Sequence, residues 1–252
     1  MSRTYQALKK AEQERVRTGQ PAAARPADGR RPPQVVWGAN GHSRLEYERI
    51  RVWITNPAAH GARIQTLMIV ACHPESGTTT TAALLASSLA ESKRSRVLLV
   101  DANFRTPCLD VLFGVANKVG LTEVLAEEHP VADDVQATGR DNLFVLTTGR
   151  VAPVPSDLFG RSTVDTFMND LKSRFDYIVF DAAPVLDFPD SCALAPRVDA
   201  TLLVVEADRT PVADAQRAKR ELERAGARLL GVVLNRHRDY TPRFLRGLLG
   251  TD

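Results

Sequence analysis

From about residue 66 onward the chain alternates between two patterns. Short apolar runs rich in branched residues recur at Leu67–Ala71, Val97–Val100, Leu143–Leu146, Tyr177–Phe180, Thr201–Val205 and Leu229–Leu234. Most are separated by segments with helical spacing of apolar positions, such as Thr79–Ser92, Ser162–Arg174 and Val212–Ala225. Runs that are continuously apolar, rather than alternating, are buried on both faces, which points to parallel strands under two layers of helix. The pattern therefore predicts an α/β fold: a doubly wound, mostly parallel sheet with helices on both faces, joined by right-handed crossovers. In such sheets the ligand sits at the carboxyl ends of the strands, so the chemistry is sought there.

Outside this region the pattern changes. Residues 1–17 read as an N-terminal helix, with Tyr5, Leu8 and Ala11 at helical spacing, and residues 18–42 as a flexible linker rich in Pro, Gly, Ala and Arg. A further helix is announced by HSRLEYERIRVWI, where Ser43 and Glu46 have the spacing of a capping box; Pro57 and Gly61 end it. The α/β domain spans 43–238. Residues 239–252 form a basic amphipathic tail in which Phe244, Leu245, Leu248 and Leu249 lie beside Arg243 and Arg246. Such a tail can lie peripherally on an anionic membrane, dock in a partner's groove, or fold back over the edge of its own sheet.

The net charge of +3 is unevenly spread. Residues 1–34 carry +5, residues 236–252 carry +2, and the body between them carries −4. A mildly acidic body argues against nucleic acid as a partner. The charged N-terminal stretch does not read as a signal peptide, and no run approaches the roughly 18 apolar residues of a membrane span, so a cytoplasmic protein is expected. Cys72, Cys108 and Cys192 lie far apart without CxxC spacing, which indicates free thiols rather than a disulfide framework or zinc site.

The first strand runs into CHPESGTTTT, the position of a phosphate-binding loop, G-x-x-x-x-G-K-[ST], between strand and helix. Aligned on Gly77, the first glycine is Cys72 and the lysine is Thr78, while Thr79 keeps the hydroxyl. The loop remains an anion site in principle, through backbone N–H groups and the helix dipole at Gly77, Thr78, Thr79 and Thr80. It lacks the cation that grips the β- and γ-phosphates. Losing one charge-assisted hydrogen bond weakens binding by about 1.5–3 kcal/mol, and phosphoryl transfer, which rests on charge stabilisation, should suffer more. Two carboxylates close apolar strands nearby: Asp101 in VLLVDANFRTP and Asp181 in FDYIVFDAAP. Buried strand-end carboxylates need a cation or donors, and with Thr79 they suggest a metal site.

These residues carry a resemblance. From about 43 to 238 the chain resembles the bacterial tyrosine autokinases of capsule and exopolysaccharide export, through EYERIRVWI, LLVDANFRTPCLDVLFG, GLTEVLAEE, PVPSDLFG, FDYIVFDAAPVLDFPDS and GARLLGVVLNR. MSRTYQALKKAEQER is similar to the start of stand-alone members. The resemblance implies a P-loop NTPase-like fold, ATP and Mg2+ as cofactors, an inner-membrane polysaccharide co-polymerase as partner, and a homo-oligomer as a further association. It makes Asp101 the catalytic-site carboxylate, Thr79, Asp101 and Asp181 the metal set, and Asn235 an adenine contact. Several family positions differ. Thr78 replaces the lysine, Asn103 replaces the second acid of an Asp-x-Asp pair, and Ala182 follows Asp181 where a hydroxyl is usual. The tail has Tyr240 where the family has a tyrosine cluster. Of the oligomerisation positions, here Leu45, Glu48 and Arg51, the last alone is kept.

Each departure falls on a functional residue while the apolar framework is intact, which suggests a degenerate member: a pseudokinase regulator or scaffold with weak ATP binding, or none. An active tyrosine kinase with a substitute cation, such as Arg105 or a lysine from a partner, is the second reading. A Par- or Min-type positioning ATPase is the third, disfavoured because residues 73–78 contain none of the lysines such loops need.

Overall fold

The computed structural model describes residues 41–92, 95–126, 130–150, 155–160 and 163–237. The N-terminal helix expected at 1–17, nearly all of the linker and the tail at 239–252 lie outside the described residues. The seven strands are β1 (Thr66–Ala71), β2 (Val97–Ala102), β3 (Gln136–Ala137), β4 (Leu143–Leu146), β5 (Tyr177–Ala182), β6 (Ala200–Glu206) and β7 (Leu229–Asn235). They form one sheet in the order β3-β4-β2-β5-β1-β6-β7. All neighbours pair in parallel except β3, a two-residue antiparallel strand on β4 that the apolar pattern does not announce because neither of its residues is a core position.

Side-chain alternation along the strands builds two cores, one on each face. Met68, Val70, Leu98 and Val100 point to one face, where helix α3 (Thr163–Arg174) contributes Val164, Phe167, Met168 and Leu171, and α4 (Val212–Arg224) contributes Ala218 and Leu222. Leu67, Ile69, Val97 and Leu99 point to the other, under Ala82, Ala83, Leu85 and Leu89 of α2 (Thr78–Ala90) and Ile54 of α1 (Gly41–Ile54). The doubly wound architecture expected from the pattern is the one found.

Three local expectations need correction. α1 starts at Gly41, two residues before the predicted capping box, and Glu46 pairs forward with Arg49 at 2.8 Å. Pro57 does not simply follow the helix end; Pro57–His60 make a separate helical turn closed by Gly61 in a left-handed conformation. β7 is apolar like a central strand, yet Val232 and Leu234 are exposed, because β7 is the edge of the sheet.

Candidate functional site

The loop after β1 is built by backbone geometry that its residues specify. Gly77 sits at φ 89°, and a Cβ there would lie 2.1 Å from Asn235 Nδ2, so a glycine is required on two counts. Asn235, the last residue of β7, donates from Nδ2 to the Ser76 carbonyl at 2.8 Å. The Ser76 hydroxyl donates to the His73 carbonyl at 2.9 Å, and Glu75 adopts a positive φ of 62°. Helix α2 begins at Thr78, and its first backbone bond within this turn runs from Thr81 N–H to the Gly77 carbonyl at 2.9 Å. The N–H groups of Thr78, Thr79 and Thr80 have no partner one turn back in the helix, which is the arrangement that receives an anion.

Parallel pairing brings the two strand-end carboxylates together. Asp101 of β2 and Asp181 of β5 are register partners, and both are buried. Asp101 is held by three backbone donors: Asn103 N–H on Oδ1 at 3.2 Å, and Cys108 and Leu109 N–H on Oδ2, both at 3.0 Å. Burial still outweighs those donors and pushes its pKa up to about 7. Asp181 has no donor on either oxygen. Burial first, then the neighbouring Asp101 charge, raise its pKa well above the carboxylate range; the nearby Thr79 hydroxyl opposes the rise without reaching hydrogen-bonding geometry. The Cys108 thiol completes this corner, 3.6 Å from Thr79 Oγ1. A buried carboxylate with two unpartnered oxygens, a second one beside it and a hydroxyl on the adjoining helix form a hard oxygen donor set suited to a divalent cation such as Mg2+. Among the described residues no cluster of three or more His, Cys, Asp or Glu is arranged to hold a metal, so phosphate oxygens and water would have to complete the coordination.

The comparisons with known proteins fit this geometry. A family described as an AAA domain matches residues 66–215. Tyrosine-protein kinase YwqD of Bacillus subtilis (strain 168) is 32% identical over 193 residues, covering 76% of this chain and 81% of YwqD. Tyrosine-protein kinase CpsD of Streptococcus pneumoniae is 31% identical over 183 residues, 72% of this chain and 80% of CpsD. This chain belongs to the bacterial tyrosine-protein kinase family. Among solved structures, the chimerical protein CapA2B2 superposes with a TM-score of 0.76 at 25% identity over 90% of this chain and 99% of that one. The kinase domain of Escherichia coli tyrosine kinase ETK gives 0.67 at 30% identity over 71% of each chain. The septum site-determining protein MinD from Pyrococcus horikoshii OT3, solved with Mg-ADP, shares the fold, with a TM-score of 0.57 at 24% identity.

Within this tyrosine-kinase fold, Asn103 and the cations near the loop have partners of their own. Asn103, in the place of the second acid, donates from Nδ2 to Thr106 Oγ1 at 3.0 Å and accepts from Thr106 N–H at 3.2 Å, closing its own turn. Arg105, the substitute cation weighed from sequence, is bound bidentately by the buried Asp190 at 2.8 and 3.1 Å and lies 4.8 Å over the Phe188 ring. Arg236 donates to Glu206 at 2.7 Å. His73 sits between two carboxylates, with Nδ1 3.2 Å from Asp187 and Nε2 3.1 Å from Asp214. Its hydrogen bond to Asp214, with Asp187 adding to it, raises its pKa against the opposing effect of burial. The three residues are 114 and 141 positions apart, so no local spacing signals them. Asp187 and Asp190 both lie inside the resembling stretch FDYIVFDAAPVLDFPDS, but nothing in that stretch names His73 or Arg105 as their partners.

Proposed function

We propose that this chain is a tyrosine-kinase-like protein of capsule or exopolysaccharide biosynthesis that no longer transfers phosphate and serves as a regulator or scaffold. It acts in the cytoplasm on an inner-membrane polysaccharide co-polymerase, and holds ATP and Mg2+ weakly. The observation that carries this reading is the split state of the site. Two of its acids, Asp101 and Asp181, remain beside the Thr79 hydroxyl and suit Mg2+, although Asn103 replaces a third. Its cationic half is lost: Thr78 stands at the lysine position, and His73, Arg105 and Arg236 each have a carboxylate partner. Gly77, Thr78, Thr79 and Thr80 would receive the phosphates through the loop, and Asn235 would approach the base while bracing Ser76. No helix among the described residues is long and apolar enough to cross a membrane.

Calorimetry with Mg-ATP tests the reading: the expected dissociation constant is no tighter than about 100 μM, roughly −5 to −6 kcal/mol. A low-micromolar constant overturns it. Protein purified from a host lacking other such kinases should carry no phosphotyrosine. The retained pair Asp101 and Asp181 favours one alternative, an active kinase completed by a cation from a partner chain. Phosphotyrosine that appears only on adding the co-polymerase, and is lost in Asp101→Ala, would establish that alternative.

A further inference from the structure

Edge strand β7 carries an apolar face left uncovered by the described residues. Leu203 and Val205 of β6 pair in register with Val232 and Leu234 of β7, so all four side chains share one face of the sheet. On β6 that face is covered: Leu203 is buried and Val205 packs in the same cluster as Ala215, Ala218 and Leu222 of α4. On β7 it is open, with Val232 58% and Leu234 55% exposed. The opposite face of the same strand is packed, since Val233 joins the cluster containing Tyr47 and Ile50 of α1. The exposure is therefore one-sided, in the lane beside α4 where the next helix of a doubly wound sheet would lie. An apolar face on an unpaired edge strand is a standing invitation to association, and proteins commonly cover such edges.

We propose that the occupant is the chain's own segment 241–252, packed on Val232 and Leu234 beside α4. Three observations select it. The segment starts six residues beyond Asn235, where β7 ends. Turning back from there to Val232 requires about 10 Å, well within reach of the nine residues from Asn235 to Phe244. A chain leaving β7 with the hand of the β6–α4–β7 crossover falls on this face, the one that α4 occupies. The sequence also has the right form. Thr241 followed by Pro242 is a helix start, with the threonine as N-cap and proline at the first helical position. Phe244, Leu245, Leu248 and Leu249 then fall on one side of a helix, with Arg243 left for solvent. A tether this short holds the segment at an effective concentration of order millimolar, so a modest apolar contact is enough to keep it seated. The consequence is that the tail's apolar residues are spent on the protein's own edge and are withheld from lipid. This inference does not depend on whether the site binds nucleotide.

Limited trypsin digestion of the 252-residue chain tests it, reading cleavage after Arg243 and Arg246 by mass spectrometry. Two variants free the tail from opposite sides: Val232→Asp with Leu234→Asp on the strand, and Leu245→Asp with Leu248→Asp on the tail. Each should accelerate cleavage at both arginines by about tenfold or more, with the thermal transition of the domain retained. If the strand variant does not fold, the tail variant carries the test alone, since it alters no position of the described core. Equal cleavage rates in the wild type and the tail variant overturn the proposal. So does cosedimentation of the wild type with phosphatidylglycerol vesicles that the tail variant loses, because the tail's apolar face would then belong to lipid.

Discussion

Asp181→Asn is the most direct probe of the buried carboxylate pair. Asp181 is fully buried, has no donor on either oxygen and faces Asp101 across the β2–β5 ladder. A buried polar atom without a partner costs about 1–3 kcal/mol, and more when charged. Asparagine keeps the shape, removes the charge and loses no hydrogen bond. In metal-free buffer at pH 8 the variant should be more stable by about 2 kcal/mol, a rise in Tm of roughly 4–8 °C for a domain of this size. The sign follows from the raised pKa. The unfolded carboxyl ionises near 3.8, the folded one well above it, so stability is full below 3.8 and is lost as pH rises through the folded value. For Asp101 the corresponding loss runs from 3.8 to about 7, which at 1.36 kcal/mol per unit is about 4 kcal/mol as an order of magnitude. The advantage of Asp181→Asn should therefore be smaller at pH 5 than at pH 8, and should vanish only below 3.8. The assay is differential scanning fluorimetry with EDTA at both pH values, repeated with Mg2+ and ADP, where the wild type should gain stability and the variant should not. A variant that melts lower than wild type at pH 8 in EDTA would refute the reasoning, since Asp181 would then have donors that stabilise its charge.

Three further outcomes are expected. Thr78→Lys should tighten Mg-ATP binding by tenfold or more in calorimetry, one charge-assisted hydrogen bond being the minimum gain; unchanged affinity would show that the missing cation is not what weakens the loop. Gly77→Ala should destabilise the domain by about 1–3 kcal/mol in urea unfolding, from its left-handed φ and the clash with Asn235, and should cost less in an Asn235→Ala background. His73→Gln should remove a pH-dependent part of stability. The raised His73 pKa makes the clamp to Asp187 and Asp214 full below 6.5 and lost as pH rises through the folded value, so wild type and variant melting curves should converge toward alkaline pH. Parallel curves from pH 6 to 9 would show that the clamp contributes nothing through its charge.

The regular part of this protein is legible because each strand and long helix is written in local apolar spacing. β4 matches its predicted range, and the other long strands and helices lie within two residues at each end, because burial on both faces of a parallel sheet leaves no polar alternation to blur them. β7 shows the limit of that cue: Val232 and Leu234 are as apolar as Leu203 and Val205, and only their place at the sheet edge leaves them open. Gly77, Thr79, Asp101 and Asp181 could be picked from sequence because a glycine before a helix and an acid after an apolar run are local signals. Their meaning was not local. That Asp101 and Asp181 share a register, that Asn235 locks onto Ser76, and that Asp190 takes the guanidinium of Arg105 are facts of strand order. The His73 clamp is the extreme case, joining a loop, a turn and a helix that sequence spacing leaves unrelated. Local spacing sets which residues are buried in strands and helices; the order in which those strands pair decides which buried charges meet, because only the assembled sheet brings their ends to one side.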